Sequence, residues 1–333
     1  MIKAAVIGVG AMGKNHARVY AELHGVELVA IADTNEYVAR DVGTRAGVEY
    51  FSNYLEMLEL KRPDVVSVAV PTALHAKVAV AALEAGADVL VEKPIASNLH
   101  EGRRIIHRAE ELNRKLMIGH IVRFNPAIQA LKQKLSEGSL GRIFQIVCRR
   151  VGPFPSRIRD VGVVIDLAPH DLDVMRYLTG TNPIRLFAET EQRIHTEHED
   201  LLLALLRFPG GITGVLEINW LTPTKVREIL VLGERGLFKV DDLSQDLYFF
   251  ENAGVDPMTW PALQNLKGVS EGSMTRFALQ RFEPLKAELQ AFIRSIQEDI
   301  PVPVSGHDGL AALELALALV ESGRSHQIFE VKE

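Results

Sequence analysis

The chain has 333 residues, of which 47% are hydrophobic and 24% charged, so its composition is that of a globular protein long enough for two domains. Its formal net charge of −6 argues against a nucleic-acid partner, since nucleic-acid binding needs a basic face. The single cysteine, Cys148, excludes an internal disulfide and favours a reducing cytoplasm, and charges interrupt the apolar stretch 76–91, which argues against a membrane span.

The first 120 residues alternate between short apolar segments and segments with helical charge spacing. Because strands that alternate with helices form parallel sheets with right-handed crossovers, residues 1–121 are predicted to be a doubly wound α/β domain. The predicted strands are Ile2–Ile7, Val26–Ala32, Val65–Val70 and Val89–Val91. The predicted helices are Lys14–Leu23, Asn35–Arg45, Leu74–Glu84 and Asn98–Leu112.

From about Gly141 the pattern changes to consecutive strands separated by tight turns, which indicates antiparallel pairing. Residues 122–333 are therefore predicted to be an α+β domain with a large, open, mostly antiparallel sheet. The predicted strands are Ile143–Cys148, Ile184–Glu189, Leu201–Phe208, Thr213–Trp220, Arg227–Leu232 and Leu237–Val240. The predicted helices are Asp166–Leu178, Pro284–Glu298 and Asp308–Glu321, and Asn252–Ser273 is predicted to be a loop or arm.

A glycine-rich loop, Gly8-Val9-Gly10-Ala11-Met12-Gly13, joins the first predicted strand to the first predicted helix. A dinucleotide pyrophosphate has to approach such a backbone closely, and the helix N-terminus supplies N–H groups and a positive dipole end. Asp33 ends the second strand, where the ribose hydroxyls of NAD are bound. Its carboxylate repels the 2′-phosphate of NADP, and Thr34 offers no positive charge to offset this, so NAD is the predicted cofactor. The alternative is a glycine turn followed by a helix-capping aspartate.

Two further segments stand where predicted strands end, and the carboxyl ends of parallel strands line the ligand crevice. The first contains Pro71, Thr72 and His75, which are predicted to contact the cofactor, although Thr72 also fits a helix N-cap and His75 a first-turn residue. The second is Glu92-Lys93-Pro94, in which Glu92 and Lys93 are predicted to lie against the cofactor. A lysine at this point can hold its positive charge over a reacting hydroxyl.

Asp166, His170 and Asp173 are spaced by four and three residues, so a helix would place them on one face. An imidazole that titrates near neutrality beside carboxylates is a candidate general base. The alternative is a hydrogen bond at the surface, and Pro169 would displace this face if it stood inside the helix.

These motifs together resemble the Gfo/Idh/MocA oxidoreductase family, and the resemblance covers nearly the whole chain. It rests on Gly8–Gly13, Glu92-Lys93-Pro94, Arg123-Phe124-Asn125-Pro126 and the run 166–173. The resemblance implies that Lys93 and His170 face the nicotinamide and that Asp166 binds substrate and completes a Lys–Asp–His arrangement. Family members often have glycine two residues before the histidine, where this chain has Ala168.

The substrate is predicted from an arginine cluster, Arg149, Arg150, Arg157 and Arg159, because arginine binds phosphate with a bidentate fork. Salt bridges within the chain are the alternative for these arginines. Within the family, segments 119–126, 149–153 and 157–162 are similar to UDP-N-acetylglucosamine 3-dehydrogenases, which oxidise the sugar 3-hydroxyl. Substrate binding is predicted for Arg123, Asn125, Arg157, Arg159, Asp166 and Asp173. A dehydrogenase of a free polyol, such as an inositol dehydrogenase, and a non-catalytic NAD-binding sensor are the alternatives.

No metal is predicted, because the lysine supplies the positive charge that a metal would provide. His195-Thr196-Glu197-His198-Glu199-Asp200 contains metal-ligand residue types but fits a solvated connector. The predicted partner is therefore a small-molecule substrate in the cytoplasm, with no nucleic acid and no membrane. By analogy with the family, a homodimer or homotetramer is expected through the second domain's sheet.

Overall fold

The computed structural model describes residues 1–155, 161–194, 197–253 and 270–331. The chain divides into two compact units. The first unit comprises Met1–Phe124 and Glu283–Glu314, and the second comprises Asn125–Phe282 and Leu315–Glu333. The predicted boundary lies between residues 121 and 122, whereas the first range of this unit ends at Phe124. The segment Glu283–Glu314, which was predicted to be part of the second domain, also belongs to the first unit.

The first unit contains a six-stranded parallel sheet with strand order β3-β2-β1-β4-β5-β6. Its strands are β1 (Ile2–Ile7), β2 (Val26–Ala32), β3 (Glu49–Phe51), β4 (Val65–Val68), β5 (Asp88–Glu92) and β6 (Leu116–Gly119). Its crossover helices are α1 (Gly13–Glu22), α2 (Glu36–Ala46), α3 (Tyr54–Lys61), α4 (His75–Glu84) and α5 (Leu99–Glu111). The predicted doubly wound fold is confirmed, while β3, α3 and β6 were not predicted.

The central strands of this sheet are buried along their whole length, as β4 and β5 show. Their valine-rich sequences therefore lack polar alternation, which is typical of a parallel sheet covered on both faces. The helices that cover it are amphipathic: α5 buries Gly102, Ile105, Ile106 and Ala109, and the side chain of Asn98 caps its first turn by accepting from Glu101 N at 2.9 Å.

The segment 283–314 belongs to the first unit because it supplies apolar surface and backbone hydrogen bonds to it. It contains α8 (Pro284–Gln297), which packs against α1 and fully buries Leu289 and Phe292. After α8, the Ile118 N–H donates to the Val304 carbonyl at 3.1 Å, beside β6. Helical spacing predicted α8, but spacing carries no information about the partner of a helix.

The second unit contains a nine-stranded sheet with order β14-β13-β12-β11-β7-β10-β9-β8-β15. Its strands are β7 (Ile143–Pro153), β8 (Arg185–Glu191), β9 (Leu201–Arg207), β10 (Thr213–Asn219), β11 (Leu221–Gly233), β12 (Gly236–Asp241), β13 (Asp246–Ala253), β14 (Ser270–Arg276) and β15 (Phe329–Glu330). The pairing is antiparallel except between β7 and β10, which confirms the predicted, mostly antiparallel sheet.

Two helices of the second unit, α6 (Pro126–Ser136) and α7 (Val163–Thr179), pack against strands of this sheet. The last helix, α9 (Gly306–Ser325), crosses the division between the units. Within the predicted loop 252–273, residues 252–253 and 270–273 belong to β13 and β14, and the rest lies outside the described residues. None of the helices in the described ranges is long and apolar enough to cross a membrane.

Candidate active site

The glycine-rich loop after β1 needs glycine for steric reasons at two of its positions. Gly8 has φ +84°, and a Cβ there would lie 2.6 Å from the Ala69 carbonyl oxygen. A Cβ at Gly13 would lie 1.7 Å from the Gly8 carbonyl oxygen. In contrast, a Cβ at Gly10 would meet no described atom within 4 Å, so the space above Gly10 is open to a ligand.

The helix behind this loop is equipped to bind an anion. α1 begins at Gly13, and its N-cap residue, Met12, has helical dihedral angles and provides no side-chain hydrogen bond. The Lys14 and Asn15 N–H groups donate to the carbonyls of Gly10 and Met12 at 3.3 and 2.8 Å, and the positive dipole end of the helix faces the loop without a side-chain cap. This arrangement fits the pyrophosphate of a dinucleotide.

Asp33 follows β2 and is tied to the glycine-rich loop. Its Oδ2 accepts from Val9 N and its Oδ1 accepts from Asn35 N, both at 2.9 Å. Each oxygen keeps a lone pair for another donor, as the predicted contact with ribose hydroxyls requires. Thr34, next to it, is exposed.

Pro71, Thr72 and His75 follow β4, where Thr72–Leu74 form a single 3-10 turn. Both ring nitrogens of His75 contact backbone carbonyls: Nδ1 lies 2.8 Å from Pro94 O and Nε2 lies 2.9 Å from Val70 O. Burial lowers the pKa of His75, although both carbonyl contacts favour the protonated ring. His75 therefore links the loops that follow β4 and β5, and its contact with the cofactor stays a prediction.

Glu92 ends β5, and Lys93 follows it, joined to Pro94 by a cis peptide bond. Glu92 is buried and its Oε1 accepts from His16 Nε2 at 2.8 Å, whereas Lys93 is half-buried. Burial alone would raise the pKa of Glu92, but the hydrogen bond from His16 and the nearby charge of Lys93 hold that pKa below its ordinary value. The structure thus places a carboxylate directly before the lysine.

Asp166, His170 and Asp173 all lie on α7, in the second unit. Asp166 and His170 are half-buried, while Asp173 is buried. Pro169 stands inside the helix, but the helix continues through it, so the displacement expected for an internal proline does not occur and Asp166 and His170 stay on one face.

The start of α7 is held by Glu199, which lies in the segment 195–200 that was predicted to be a solvated connector. Glu199 O accepts from Val163 N at 2.9 Å, and Glu199 Oε1 accepts from Val164 N at 3.2 Å. Gly162 permits this approach, because a Cβ there would lie 2.0 Å from Glu199 Oε1. His195 and Thr196 lie outside the described residues, and the rest of the described chain contains no group of three or more histidine, cysteine, aspartate or glutamate residues that could hold a metal.

Two of the clustered arginines have carboxylate partners in the second unit. Arg149 pairs with Glu217 at 3.0 Å, and Arg150 donates from Nε and Nη2 to both oxygens of Asp171 at 2.7 and 2.8 Å. Arg150 and Asp171 are buried, so this bidentate pair anchors β7 to α7. Arg157 and Arg159 lie outside the described residues.

Arg123 and Asn125 also have partners within the fold. Arg123 is buried, pairs with Asp308 at 3.2 Å and donates to the Pro303 carbonyl at 3.3 Å. Asn125 caps α6 by accepting from Ala127 N at 2.9 Å and donates to the Asp242 carbonyl at 2.9 Å. These contacts hold the chain around residues 123–126, and the predicted substrate contacts of both residues stay predictions.

Arg227 on β11 was not predicted as a site residue. It lies opposite Arg150 in the strand pairing, and its Nη1 donates to the carbonyls of Val151 and Val226 at 2.7 and 2.8 Å. Burial and the charge of Arg150 lower the pKa of Arg227 to about 10, and Asp166 is among the carboxylates that oppose this shift. Within the described ranges no carboxylate lies within 4.0 Å of Arg227, so it is a half-buried cation on the same unit as Asp166.

The parallel sheet of the first unit, the glycine-rich loop after β1 and Asp33 after β2 together define a dinucleotide-binding protein. Residues 2–120 match the family model of Gfo/Idh/MocA oxidoreductases with an NAD-binding Rossmann fold, and residues 128–239 match the model of that family's C-terminal domain. The chain belongs to the Gfo/Idh/MocA oxidoreductase family, and its first unit is the NAD-binding Rossmann domain.

Similar proteins support this assignment along the whole chain. The UDP-N-acetylglucosamine 3-dehydrogenase of Acidithiobacillus ferrooxidans is 30% identical over 95% of both chains, and its crystal structure superposes with a TM-score of 0.85, covering 97% of this chain and 98% of that one. The myo-inositol 2-dehydrogenase of Thermotoga maritima is 27% identical over 99% of both chains. The WlbA dehydrogenase of Bordetella pertussis, solved with NADH and UDP-GlcNAcA, is 25% identical with a TM-score of 0.81, covering 100% and 99%. The family thus includes NAD-dependent sugar and polyol dehydrogenases.

Proposed function

We propose that this enzyme oxidises a secondary hydroxyl of a nucleotide-linked sugar, and that its substrate is UDP-N-acetylglucosamine, which it converts to the 3-keto sugar. The observation that carries this proposal is the full-length similarity to a UDP-N-acetylglucosamine 3-dehydrogenase. The fit of the glycine-rich loop, α1 and Asp33 to a dinucleotide supports the oxidoreductase half of the reaction.

The proposed catalytic residues are Lys93, His170 and Asp166. Oxidation of a secondary alcohol removes the hydroxyl proton together with a hydride, and bound NAD⁺ supplies the hydride acceptor. His170 takes the hydroxyl proton on a ring nitrogen, because an imidazole accepts a proton near neutral pH. Lys93 Nζ donates a hydrogen bond to the same oxygen and stabilises its developing negative charge. Asp166 binds a neighbouring hydroxyl of the sugar.

The proposed anion-binding residue for the substrate pyrophosphate is Arg227. Arg149 and Arg150 already have carboxylate partners, whereas Arg227 bonds to carbonyls through one nitrogen and belongs to the same unit as Asp166. A guanidinium without a carboxylate partner keeps donors for a phosphate fork. Arg157 and Arg159 stay predicted substrate residues.

NAD⁺ reduction, followed at the nicotinamide absorbance with UDP-sugars and free polyols, tests this proposal. The expected result is turnover with UDP-N-acetylglucosamine that falls by roughly 10²–10⁴-fold in Lys93→Ala and in His170→Ala. Arg227→Ala is expected to raise KM for the UDP-sugar by about 10–100-fold, since a hydrogen bond to a charged group contributes about 1.5–3 kcal/mol. Turnover of inositols alone would favour the polyol alternative, and NADH binding without turnover of any sugar would favour a sensor.

We further propose that two copies of the chain pair through the sheet of the second unit. A cross-strand row on this sheet, Phe187–Leu205–Val215–Val147–Leu230, is apolar and at least partly exposed. Leu203 and Leu205 are exposed on β9, and apolar patches of this kind mark protein interfaces. Light scattering on Leu205→Arg is expected to show a smaller species than wild type, while Leu60→Arg, on the exposed side of α3, leaves the oligomer unchanged.

A further inference from the structure

Four buried polar side chains form one hydrogen-bonded series inside the first unit, which we call the Tyr20–Glu92 series. Tyr20 Oη lies 2.9 Å from Ser67 Oγ, and Ser67 Oγ lies 3.1 Å from His16 Nδ1. His16 Nε2 lies 2.8 Å from Glu92 Oε1. His16, Tyr20 and Ser67 are fully buried, where an unsatisfied polar group would cost free energy. The series joins α1, β4 and β5.

The Glu92 end fixes the direction of one of these hydrogen bonds. The ionised Glu92 carboxylate can only accept, so His16 Nε2 carries a proton and donates it to Glu92 Oε1. Burial raises the pKa of Tyr20, so its hydroxyl keeps a proton within reach of Ser67 Oγ. Ser67 Oγ in turn lies within hydrogen-bond distance of His16 Nδ1, and the series ends on a carboxylate.

The Glu92 carboxylate in turn acts on Lys93. Its Oε2 accepts from the backbone N–H of Lys93 at 3.3 Å, and the Lys93 charge contributes to keeping Glu92 ionised. Gly119 on β6 pairs with Glu92 on β5 and leaves room for the Glu92 side chain, because a Cβ on Gly119 would lie 3.3 Å from Glu92 Oε2. The hydrogen bond from His16 holds the other oxygen, so the carboxylate is fixed from both sides.

We propose that His16 is a positioning residue for Lys93: it holds the Glu92 carboxylate, which accepts from the backbone N–H of Lys93, the lysine that meets the substrate hydroxyl. This inference rests on the proposed catalytic role of Lys93. The titratable groups that act on Glu92 within the first unit are His16 on α1, His75 on α4 and Lys93 itself.

The test compares His16→Leu, His16→Gln and Glu92→Gln with a matched control, Val19→Ala. Val19 is fully buried on the same helix and makes no polar side-chain contact, so its truncation reports on stability alone. His16→Leu is expected to lower kcat by about 10–100-fold, since small misplacement of a reacting group can cost 10²-fold, while the Kd for NADH changes less than about threefold. His16→Gln, which can donate to Glu92 again, is expected to recover part of kcat.

The pH dependence separates positioning from loss of stability. In His16→Leu, the acidic limb of the pH–kcat profile is expected to move to higher pH, because Glu92 stays buried but loses the hydrogen bond from His16 that holds its pKa below the ordinary value. In Val19→Ala the profile is expected to stay at the wild-type position. Equal kcat values in His16→Leu and Val19→Ala with superimposable profiles would overturn the positioning role.

A readout without turnover keeps this inference distinct from the proposed function. Wild-type protein that oxidises no sugar would refute the proposed function. The role of His16 is then tested by acylation of Lys93 with an N-hydroxysuccinimide ester, followed by peptide mass spectrometry. At a fixed pH, the rate of Lys93 labelling is expected to differ between Val19→Ala and the Glu92→Gln and His16→Leu variants, because these two variants disturb the carboxylate contact at Lys93 N. Identical labelling rates in all variants would overturn the role of His16.

Discussion

The buried ion pair between Arg150 and Asp171 makes the second unit sensitive to a single substitution, Asp171→Ala. The guanidinium of Arg150 donates to both carboxylate oxygens at 2.7 and 2.8 Å, and the two side chains are 7% and 2% exposed. The next carboxylate, Asp242 Oδ2, is 3.8 Å from Arg150, beyond hydrogen-bond distance. Asp171→Ala therefore leaves a buried guanidinium that has lost both of its charge-assisted hydrogen bonds and keeps only a looser ion pair with Asp242.

Removal of one partner of a buried ion pair costs about 3–5 kcal/mol, because the remaining charge is desolvated without compensation. The expected loss for Asp171→Ala is therefore a large part of a typical unfolding free energy of about 5–15 kcal/mol. Urea unfolding followed by tryptophan fluorescence measures it, since Trp220 is buried in the second unit.

The matched control is Glu217→Ala. Arg149 and Glu217 form the same type of pair at 3.0 Å within the second unit, but their side chains are 45% and 35% exposed, so its loss is expected to cost less than about 1 kcal/mol. The double variant Arg150→Met/Asp171→Leu is expected to recover most of the lost stability, because it removes the charge that Asp171→Ala leaves behind. A loss below about 1 kcal/mol for Asp171→Ala would refute the reasoning from burial.

Three further outcomes follow from the first unit and from the sheet. Gly10→Ala is expected to keep the wild-type melting temperature, because its Cβ meets no protein atom, and to lose at least about tenfold in NADH affinity by fluorescence titration, because that Cβ occupies the space of the ligand. Gly13→Ala is expected to lower the melting temperature as well, because its Cβ clashes with the Gly8 carbonyl. Burial holds the pKa of His75 below its unfolded value of 6.5, so the neutral ring stabilises the fold above pH 6.5, and this stability is lost as the pH falls, by up to about 1.4 kcal/mol per pH unit. The melting temperature of His75→Gln is therefore expected to depend less on pH between 7.5 and 5.5 than that of the wild type. Parallel curves for the two proteins would contradict this. Burial raises the pKa of Cys148 well above its ordinary value, so iodoacetamide is expected to label it only after denaturation, and labelling of the native protein would contradict its burial.

The parts of the fold that sequence could predict are those determined by local chemistry. Buried strands such as β1 and β4 could be predicted because their sequences are apolar throughout. The glycine-rich loop could be predicted because a Cβ at Gly8 or Gly13 would clash with the backbone, so these positions need glycine. Short elements were missed, as with β3, because three residues carry no measurable periodicity. The packing of α8 in the first unit was missed because amphipathicity shows that a helix has a buried face but does not show which element covers that face.

The arginines show why substrate contacts were harder to predict than the cofactor site. Four arginines near residue 150 are close in sequence, but the partner of Arg150 is 21 residues away on α7 and that of Arg149 is on β10. Arg227 carries no motif and comes to lie opposite Arg150 only through the pairing of β11 with β7. Proximity along the chain is therefore a poor guide where a sheet determines which charges meet.

The histidines extend this reasoning from position to chemical role. His16 stands in the first turns of α1 and His75 in the first turn of α4, so neither position distinguishes a ligand contact from a buried hydrogen bond. Their partners distinguish them: His16 meets a carboxylate and a hydroxyl, while His75 meets two backbone carbonyls. His16 contacts Glu92 and His75 contacts Pro94, so buried histidines hold the residues on both sides of Lys93 in the sequence.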